Sequence, residues 1–306
     1  MTDRRSALAA ALGLLVACSA PARDGAAETL PASANQTVVR PKAAPPVDAR
    51  LAEIERRSGG RLGVALIDEQ GRTLLAHREG ERFAMCSTFK LPLASMVLDG
   101  AEQGRWRLDE RLPLTRQDLL NNSSVSERHV AAGHITLEQA AAAIVTVSDN
   151  AAANLVLRRV GGPAAFTQWL RDNGDQETRL DREEMALNEN SPGDSRDTST
   201  PRAYAAMMAR MVGLQIHDPD NQERLRAWTI ASRTGARRIR AGLPADWTAG
   251  DKTGTCGTAW NDIAWFRTPG GRNYVLAVFL DRPTLRGQQA EAVLADVARL
   301  AVPLAR

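Results

Sequence analysis

The chain has 306 residues, of which 43% are hydrophobic and 25% are charged, a composition typical of a globular protein with enough chain for a large core. Its formal net charge of +3 comes from 39 basic and 36 acidic residues scattered along the chain, so we expect no nucleic-acid partner. The four histidines include no His-x-His or His-Glu-x-x-His pair, which argues against a metal site and a zinc hydrolase.

The first 17 residues have the pattern of an export signal. Arg4-Arg5 supplies positive charge, and residues 7–17 form an apolar stretch too short to span a bilayer. Leu15-Val16-Ala17-Cys18 resembles a bacterial lipobox, which predicts cleavage before Cys18 and a lipid on that cysteine. Ordinary cleavage after Ala20 or Ala22 is the alternative. We therefore expect a periplasmic protein that meets the membrane only through this lipid.

Residues 18–47 are rich in Ala, Pro and Ser and have no apolar periodicity. Such a composition predicts a flexible tether between the lipidated cysteine and the folded domain. Past the tether, residues 61–68 alternate between apolar and polar side chains, and residues 72–77 follow a Gln70-Gly71 turn. This pattern predicts a two-stranded hairpin.

The middle of the chain is predicted to be helical. A Thr136-x-x-Gln139 capping box begins one helix, and Thr200-Pro201 supplies the cap and the first residue of another. Apolar periodicity gives the predicted helices 88–98, 137–147, 150–159, 163–171 and 201–211.

The last third of the chain returns to strands and then ends in a long helix. The predicted strands are 247–255, 261–267 and 273–281, and the predicted amphipathic helix is 286–304. Strands come from both ends of the chain and helices from its middle. This order predicts an α+β protein, a three-layer α/β/α sandwich with an antiparallel sheet and an inserted all-α lobe.

The folded domain is expected to span residues 48–306 and to be monomeric. We assign residues 48–85 and 232–306 to the α/β lobe and residues 86–231 to the helical lobe. A cleft between the two lobes is the expected site of chemistry, because ligand sites favour such junctions.

Three short motifs carry the candidate chemistry. In Ser87-Thr88-Phe89-Lys90, residues three apart share a helix face, so an amine can activate a hydroxyl beside free backbone N–H groups. Ser148-Asp149-Asn150 lies on a predicted turn between helices and offers a proton-relaying hydroxyl and an amide. Lys252-Thr253-Gly254-Thr255 offers positive charge, hydroxyls and a glycine for close backbone approach. Each motif alone also suits a helix cap or a strand end.

Together, in this order and spacing, the three motifs resemble those of the class A β-lactamases, whose signature combines Ser-x-x-Lys, Ser-Asp-Asn and Lys-Thr-Gly. The resemblance covers the chain from about Asp48 to the C-terminus. It implies the β-lactamase/transpeptidase-like fold, small-molecule β-lactams as partners, and neither metal nor cofactor.

The resemblance also implies a role for each residue. Ser87 is the nucleophile, Ser148 relays a proton to the leaving nitrogen, and Lys90 or Glu184 is the acylation base, a choice that stays open. Asn150 contacts the substrate amide. The backbone N–H groups of Ser87 and Thr255 form the oxyanion hole. The substrate carboxylate is expected near Lys252, Thr253, Gly254, Thr255 and Arg238, with Arg240 as the competing arginine.

A fourth segment, residues 179–188, resembles the family's omega loop. By this resemblance Glu184 is the general base for deacylation and Asn188 helps to hold the hydrolytic water, whereas the adjacent Glu183 is the alternative. Arg182 and Asp197 match the ion pair that closes the loop. Penicillin-binding proteins lack this loop glutamate, which argues against a transpeptidase or carboxypeptidase. A non-catalytic β-lactam sensor would lack one of the reacting residues.

Cys86 directly precedes the candidate nucleophile, and Cys256 directly follows Thr255. An even pair of cysteines in an exported chain suits a disulfide, and this placement resembles the class A carbapenemases that carry one beside the active site. Carbapenem turnover is expected by that analogy. Two departures stand against it: Asn122 lies where the subgroup usually has an aromatic residue, and the turn after Cys256 is short. Trp260, which follows that turn, is a candidate to replace the aromatic residue, and packing is the alternative role for it.

Overall fold

The computed structural model describes residues 47–213 and 215–305. Within these ranges the strands are β1 (Arg61–Asp68), β2 (Thr73–His77), β3 (Phe83–Ala84), β4 (Arg111–Pro113), β5 (His134–Thr136), β6 (Thr198–Ser199), β7 (Thr248–Cys256), β8 (Ala259–Arg267) and β9 (Asn273–Asp281). The helices are α1 (Val47–Ser58), α2 (Lys90–Glu102), α3 (Ser124–His129), α4 (Leu137–Thr146), α5 (Asn150–Val160), α6 (Gly162–Asp172), α7 (Pro201–Val212), α8 (Pro219–Ile230), α9 (Ile239–Gly242) and α10 (Gln288–Ala301).

The central sheet joins the two ends of the described chain. Its five strands lie in the order β2-β1-β9-β8-β7, and every neighbouring pair is antiparallel. Strand β1 pairs with β9 along its whole length, from Arg61 opposite Asp281 to Asp68 opposite Tyr274. The antiparallel sheet predicted from both ends is therefore confirmed.

Helices cover both faces of this sheet, so its inner strands are buried almost throughout. On β1, Val64 and Leu66 pack in one apolar cluster with α1 and α10, whereas Ala65 and Ile67 pack in a second cluster with the helices of the middle segment. Successive strand residues point to opposite faces, and here both faces are covered. This arrangement confirms the predicted α+β layers.

The structure refines several predicted boundaries. Ser87 lies in a 3-10 turn, Cys86–Phe89, and α2 begins only at Lys90. Strand β8 begins two residues before the predicted position 261, because the preceding turn is tight. Helix α10 ends at Ala301, before a final 3-10 turn that contains a proline.

Some elements of the described chain were not predicted. Helices α1, α3, α8 and α9 are additional, and two short sheets, β3 with β6 and β4 with β5, accompany the main one. Helix α8 begins where Asp218 caps the N–H of Asn221 and a proline takes the first helical position, a standard helix start.

The export signal, the lipidation of Cys18 and nearly all of the tether fall outside the described residues. Over the part of the chain that is described, we find no helix both long and apolar enough for a bilayer crossing. The lobe boundaries assigned from sequence stay a prediction.

Candidate active site

The Ser87 hydroxyl stands between an amine and a carboxylate. Lys90 Nζ donates a hydrogen bond to Ser87 Oγ at 3.1 Å, and Ser87 Oγ donates to Glu184 Oε1 at 3.4 Å. The 3-10 turn followed by α2 places the serine and the lysine on one side, as the Ser-x-x-Lys spacing predicted. A hydroxyl flanked by two basic groups can lose its proton as it attacks.

Lys90 is completely buried, and every polar neighbour accepts from it. Its Nζ lies 2.9 Å from Glu184 Oε1 and donates to the Ser148 carbonyl at 2.9 Å and to Asn150 Oδ1. Burial lowers the pKa of Lys90, and the negative charge of Glu184 opposes that shift. A lowered pKa brings the neutral amine, the form able to accept a proton, closer to neutral pH.

Hydrogen bonds from neighbouring segments hold the turn at Ser148. Ser148 has a φ of 59°, a conformation that a non-glycine residue adopts only when its surroundings enforce it. Asn122 Nδ2 donates to the Ser148 carbonyl at 2.8 Å. The buried Asp149 caps α5 through the Ala152 N–H at 3.0 Å and also accepts from Ser126 Oγ at 2.7 Å. Asp149 of the motif, together with Asn122 and Ser126 outside it, thus holds the Ser148 turn in place.

Strand β7 brings a second buried lysine to the same hydroxyl. Lys252 Nζ donates to Ser148 Oγ at 3.1 Å and to the Thr253 carbonyl at 2.7 Å. Burial, assisted by the positive charge of Lys90, lowers the pKa of Lys252 to about 7. The Ser148 hydroxyl therefore touches two amines, because Lys90 Nζ lies 3.4 Å from it.

Strand β7 runs directly against the turn that carries Ser87. A Cβ added to Gly254 would lie 2.5 Å from the Met85 carbonyl oxygen, so no larger residue fits without a shift. Two residues further along β7, the predicted disulfide joins Cys256 to Cys86, with their Cα atoms 5.7 Å apart. The bond fixes the strand to the serine turn beside the cleft.

Of the two competing arginines, Arg238 points to the cleft. Arg238 Nη2 donates to Thr255 Oγ1 at 2.7 Å, and its Nη1 donates to the Asn261 carbonyl at 2.7 Å. Arg240 instead lies 2.6 Å from a carboxylate oxygen of the buried Asp251. The guanidinium of Arg238 is therefore the one beside the β7 hydroxyls.

In the structure the omega loop extends beyond the predicted segment 179–188 to Asp197, and this loop of residues 179–197 presents one carboxylate to the serine. Asn188 Nδ2 donates to Glu184 Oε2 at 2.8 Å, while the other oxygen of that carboxylate faces Ser87. The Asn154 side chain holds the main chain of Glu184: its Oδ1 accepts from the Glu184 N–H, and its Nδ2 donates to the Glu184 carbonyl. At the base of the loop Arg182 Nε lies 2.6 Å from Asp197 Oδ2. The structure thus brings Glu184, rather than Glu183, to the serine.

These groups surround one cleft of about 460 Å³. It is lined by Ser87, Asn121, Asn122, Ser148, Asn150, Met185, Asn188, Arg233, Thr234, Ala236, Arg237, Arg238, Thr253 and Thr255. Trp260 is outside it, packed in the core under the Arg286 guanidinium. Among the described residues no group of acids, histidines or cysteines suits a metal ion.

Sequence reasoning missed several polar residues at the cleft. Thr234 accepts a hydrogen bond from Thr253 Oγ1 at 2.6 Å, and the Asn121 carbonyl accepts from Asn150 Nδ2 at 2.7 Å. Neither belongs to a motif, and each reaches the site only through tertiary contacts. Thr234 lies in a turn segment four residues before Arg238, and no local pattern there marks it as a site residue.

A serine beside a buried lysine, with a carboxylate and an amide on the opposite side, defines a serine-dependent acyl-transfer enzyme. Comparison with known proteins identifies the family of acyl-transfer enzymes to which the chain belongs. The family model described as "Beta-lactamase enzyme family" matches residues 46–303. Beta-lactamase AST-1 of Nocardia asteroides is 39% identical over 302 residues, which cover 98% of this chain and 95% of that protein.

Two further relatives agree. The carbapenem-hydrolyzing beta-lactamase KPC of Klebsiella oxytoca is 41% identical over 255 residues, covering 82% of this chain and 86% of that protein. The crystal structure of a beta lactamase from Xanthomonas campestris superposes with a TM-score of 0.82 at 41% identity, covering 84% of this chain and 97% of that one. The chain belongs to the class A β-lactamases, as the sequence motifs predicted.

Proposed function

We propose that this β-lactamase opens its substrates through an acyl-enzyme on Ser87 and that Glu184 activates the water which releases the product. One observation carries the proposal: the two oxygens of the Glu184 carboxylate contact Ser87 Oγ and Asn188 Nδ2, at 3.4 and 2.8 Å. A water held between these groups would lie against an ester formed on the serine, in reach of a general base.

In acylation Ser87 Oγ bonds to the lactam carbonyl carbon, and the ring C–N bond breaks as the tetrahedral adduct collapses. The serine proton leaves through Lys90 or Glu184, both of which contact the hydroxyl. Ser148 hands a proton to the leaving nitrogen. Its contacts with Lys90 and Lys252 support this role, because either amine can resupply the proton.

Substrate orientation would rest on the β7 side of the cleft. The substrate carboxylate binds along the edge opened by Gly254, among Lys252, Thr253, Thr255 and Arg238. Asn150 forms a hydrogen bond with the amide of the substrate side chain. The backbone N–H groups of Ser87 and Thr255 stabilise the oxyanion, each donor contributing about 10²–10³ in rate. Thr234 joins the carboxylate subsite through its contact with Thr253.

Turnover is proposed to extend to carbapenems. The Cys86–Cys256 disulfide beside the serine and the 41% identity to the carbapenem-hydrolyzing KPC enzyme support this step. Trp260 packs in the core, so it does not replace the aromatic residue that is missing at position 122 of the cleft rim. Asn122 supports the Ser148 turn instead.

The decisive experiment is intact-protein mass spectrometry during a carbapenem time course. An acyl adduct that appears and clears within seconds as product accumulates supports carbapenem hydrolysis. A persistent adduct means a narrower enzyme that carbapenems inhibit, and a repeat with a simple penicillin then shows turnover. Ser87→Ala must abolish turnover, and Glu184→Gln must trap the penicillin adduct; turnover in either variant contradicts the mechanism.

Export, lipid attachment at Cys18, a periplasmic location and a monomeric state are proposals from the sequence alone. Expression of the full chain and of Cys18→Ala in a bacterial host tests the first three. We expect the parent protein in the membrane fraction with a mass that includes a lipid, and the variant without it. Light scattering of the purified protein tests the monomeric state.

A further inference from the structure

One side chain ties the far end of the omega loop to the turn between β7 and β8. Asn190 Oδ1 accepts from Thr258 Oγ1 at 2.8 Å, and Asn190 Nδ2 donates to Cys256 Sγ at 3.7 Å. The Asn190 carbonyl accepts from Arg282 Nη2 at 2.5 Å, and the Arg282 N–H in turn donates to the Thr258 carbonyl at 2.7 Å. The loop is therefore fixed to the turn from both sides.

The sulfur that Asn190 touches leads back to the reacting groups. Cys256 is bonded to Cys86, the residue before the proposed nucleophile. In the other direction, Asn190 follows Asn188 by two positions, and Asn188 holds the Glu184 carboxylate at 2.8 Å. Covalent bonds and hydrogen bonds thus form a closed ring from the serine, through the disulfide and Asn190, to the carboxylate.

Little else fixes this part of the loop to the sheet. In the described ranges, all hydrogen bonds between residues 179–197 and the β7–β8 turn come from Asn190. A cavity of about 410 Å³ lies behind residues 190–195 and is lined on the sheet side by charged groups such as Arg61, Arg82 and Asp281. The buried Leu180 and Leu187 anchor the first part of the loop in the core. Residues 190–195 instead border this cavity, whose lining residues are mostly polar, so polar contacts such as those of Asn190 hold them.

We propose that Asn190 is a positioning residue that couples the Cys86–Cys256 disulfide to Glu184. It sets the distance between that carboxylate and the ester on the serine, so deacylation depends on it more than acylation does. Ser87 lies on a turn that contacts β7 directly at Gly254, and Lys90 begins the helix that follows that turn. With Lys90 as the acylation base, acylation therefore depends on the position of the loop less than deacylation does. The inference rests on the proposed role of Glu184.

The first test compares Asn190→Ala with the matched control Ser191→Ala, whose exposed side chain makes no hydrogen bond to the described residues. With a penicillin we expect Asn190→Ala to lower kcat by about tenfold, the effect of a small misplacement of a catalytic group. KM should fall in parallel, leaving kcat/KM within about twofold. Quenched samples should show the acyl adduct at steady state, and Ser191→Ala should match the parent enzyme.

Thr258 provides a second, smaller perturbation. Thr258→Val keeps the side-chain shape and removes the donor to Asn190, so kcat should fall in the same direction, and Thr258→Ser should restore it. Equal losses of kcat and kcat/KM in Asn190→Ala, or parent kinetics in both Asn190→Ala and Thr258→Val, would overturn the proposal.

Reduction of the disulfide tests the coupling itself. A phosphine reductant should slow deacylation of the parent enzyme to the level of Asn190→Ala and should slow that variant no further, provided that melting curves show a folded protein. Fully additive losses would refute the coupling. Failure of Glu184→Gln to trap an adduct would refute the proposed function instead, so the two failures are distinguishable.

Discussion

The contact between Gly254 and the serine turn makes a sharp prediction. Gly254→Ala puts a Cβ 2.5 Å from the Met85 carbonyl oxygen and about 3 Å from the Thr88 side chain and N–H. Ordinary non-bonded contacts of carbon lie near 3.5 Å. Strand β7 must therefore move by about half an ångström or more away from the turn that carries Ser87.

The size of the effect follows from that displacement. Overpacking of this kind costs about 1–3 kcal/mol of folding free energy, and each kcal/mol lowers the melting temperature by about 2–4 °C in a domain of this size. The displacement also moves Thr255, a proposed oxyanion donor, from the serine. A misplacement near 1 Å can cost about a hundredfold in rate, so we expect kcat/KM to fall by about 10–100-fold.

The assay is hydrolysis of a chromogenic cephalosporin together with thermal unfolding. Gly257→Ala is the matched control, since a Cβ there meets nothing within 4 Å although it stands three residues further along the same hairpin. We expect the control to retain the parent activity and melting temperature. A Gly254→Ala enzyme with parent kcat/KM would refute the argument, because the strand would then have room to spare.

Three other predictions concern charge. Because the pKa of Lys252 is lowered to about 7, kcat/KM should decline as pH rises through 7 and the lysine loses its charge, and Lys252→Arg should move that decline to higher pH. The Arg233 side chain is exposed at the cleft and forms no ion pair with a described residue. Arg233→Ala should therefore lower kcat/KM about threefold or more for a β-lactam with two negative charges and barely for one with a single charge. The difference should disappear at high salt. Burial and the Asp251 carboxyl raise the pKa of Asp262 well above its usual range. Because the unfolded chain releases this proton above about pH 4 while the folded protein retains it, the free energy of unfolding should fall as pH rises above about 4. Asp262→Asn should remove that loss when urea titrations at pH 5 and pH 8 are compared.

The sequence predicted those parts of the molecule that depend on local pattern. The capping box at Thr136 and Gln139 does begin α4, and the alternation of β1 and the apolar runs of β8 and β9 identified the sheet. The Ser-x-x-Lys spacing placed Ser87 and Lys90 in contact, because three residues span about one turn of either helix type. These are short-range constraints, which a sequence displays directly.

What depends on tertiary contact was beyond the sequence. Arg238 and Arg240 stand two residues apart, and only packing against Thr255 and Asp251 decides which of them meets the cleft. Asn190 carries no motif, and its link to the β7–β8 turn exists only once the loop and the sheet are assembled. A positive φ at Ser148 is likewise enforced by neighbours rather than by its own side chain.

The pairing of β1 with β9 has a consequence for biosynthesis. Residues 61–68 find their partner at 274–281, so the sheet that backs the cleft cannot close until nearly all of the chain has emerged. Contacts this distant in sequence form slowly, and until then the β1–β2 hairpin exposes an open edge that invites aggregation. A nascent chain of this enzyme should therefore depend on holdase chaperones, and truncation before β8 should leave only degradable fragments.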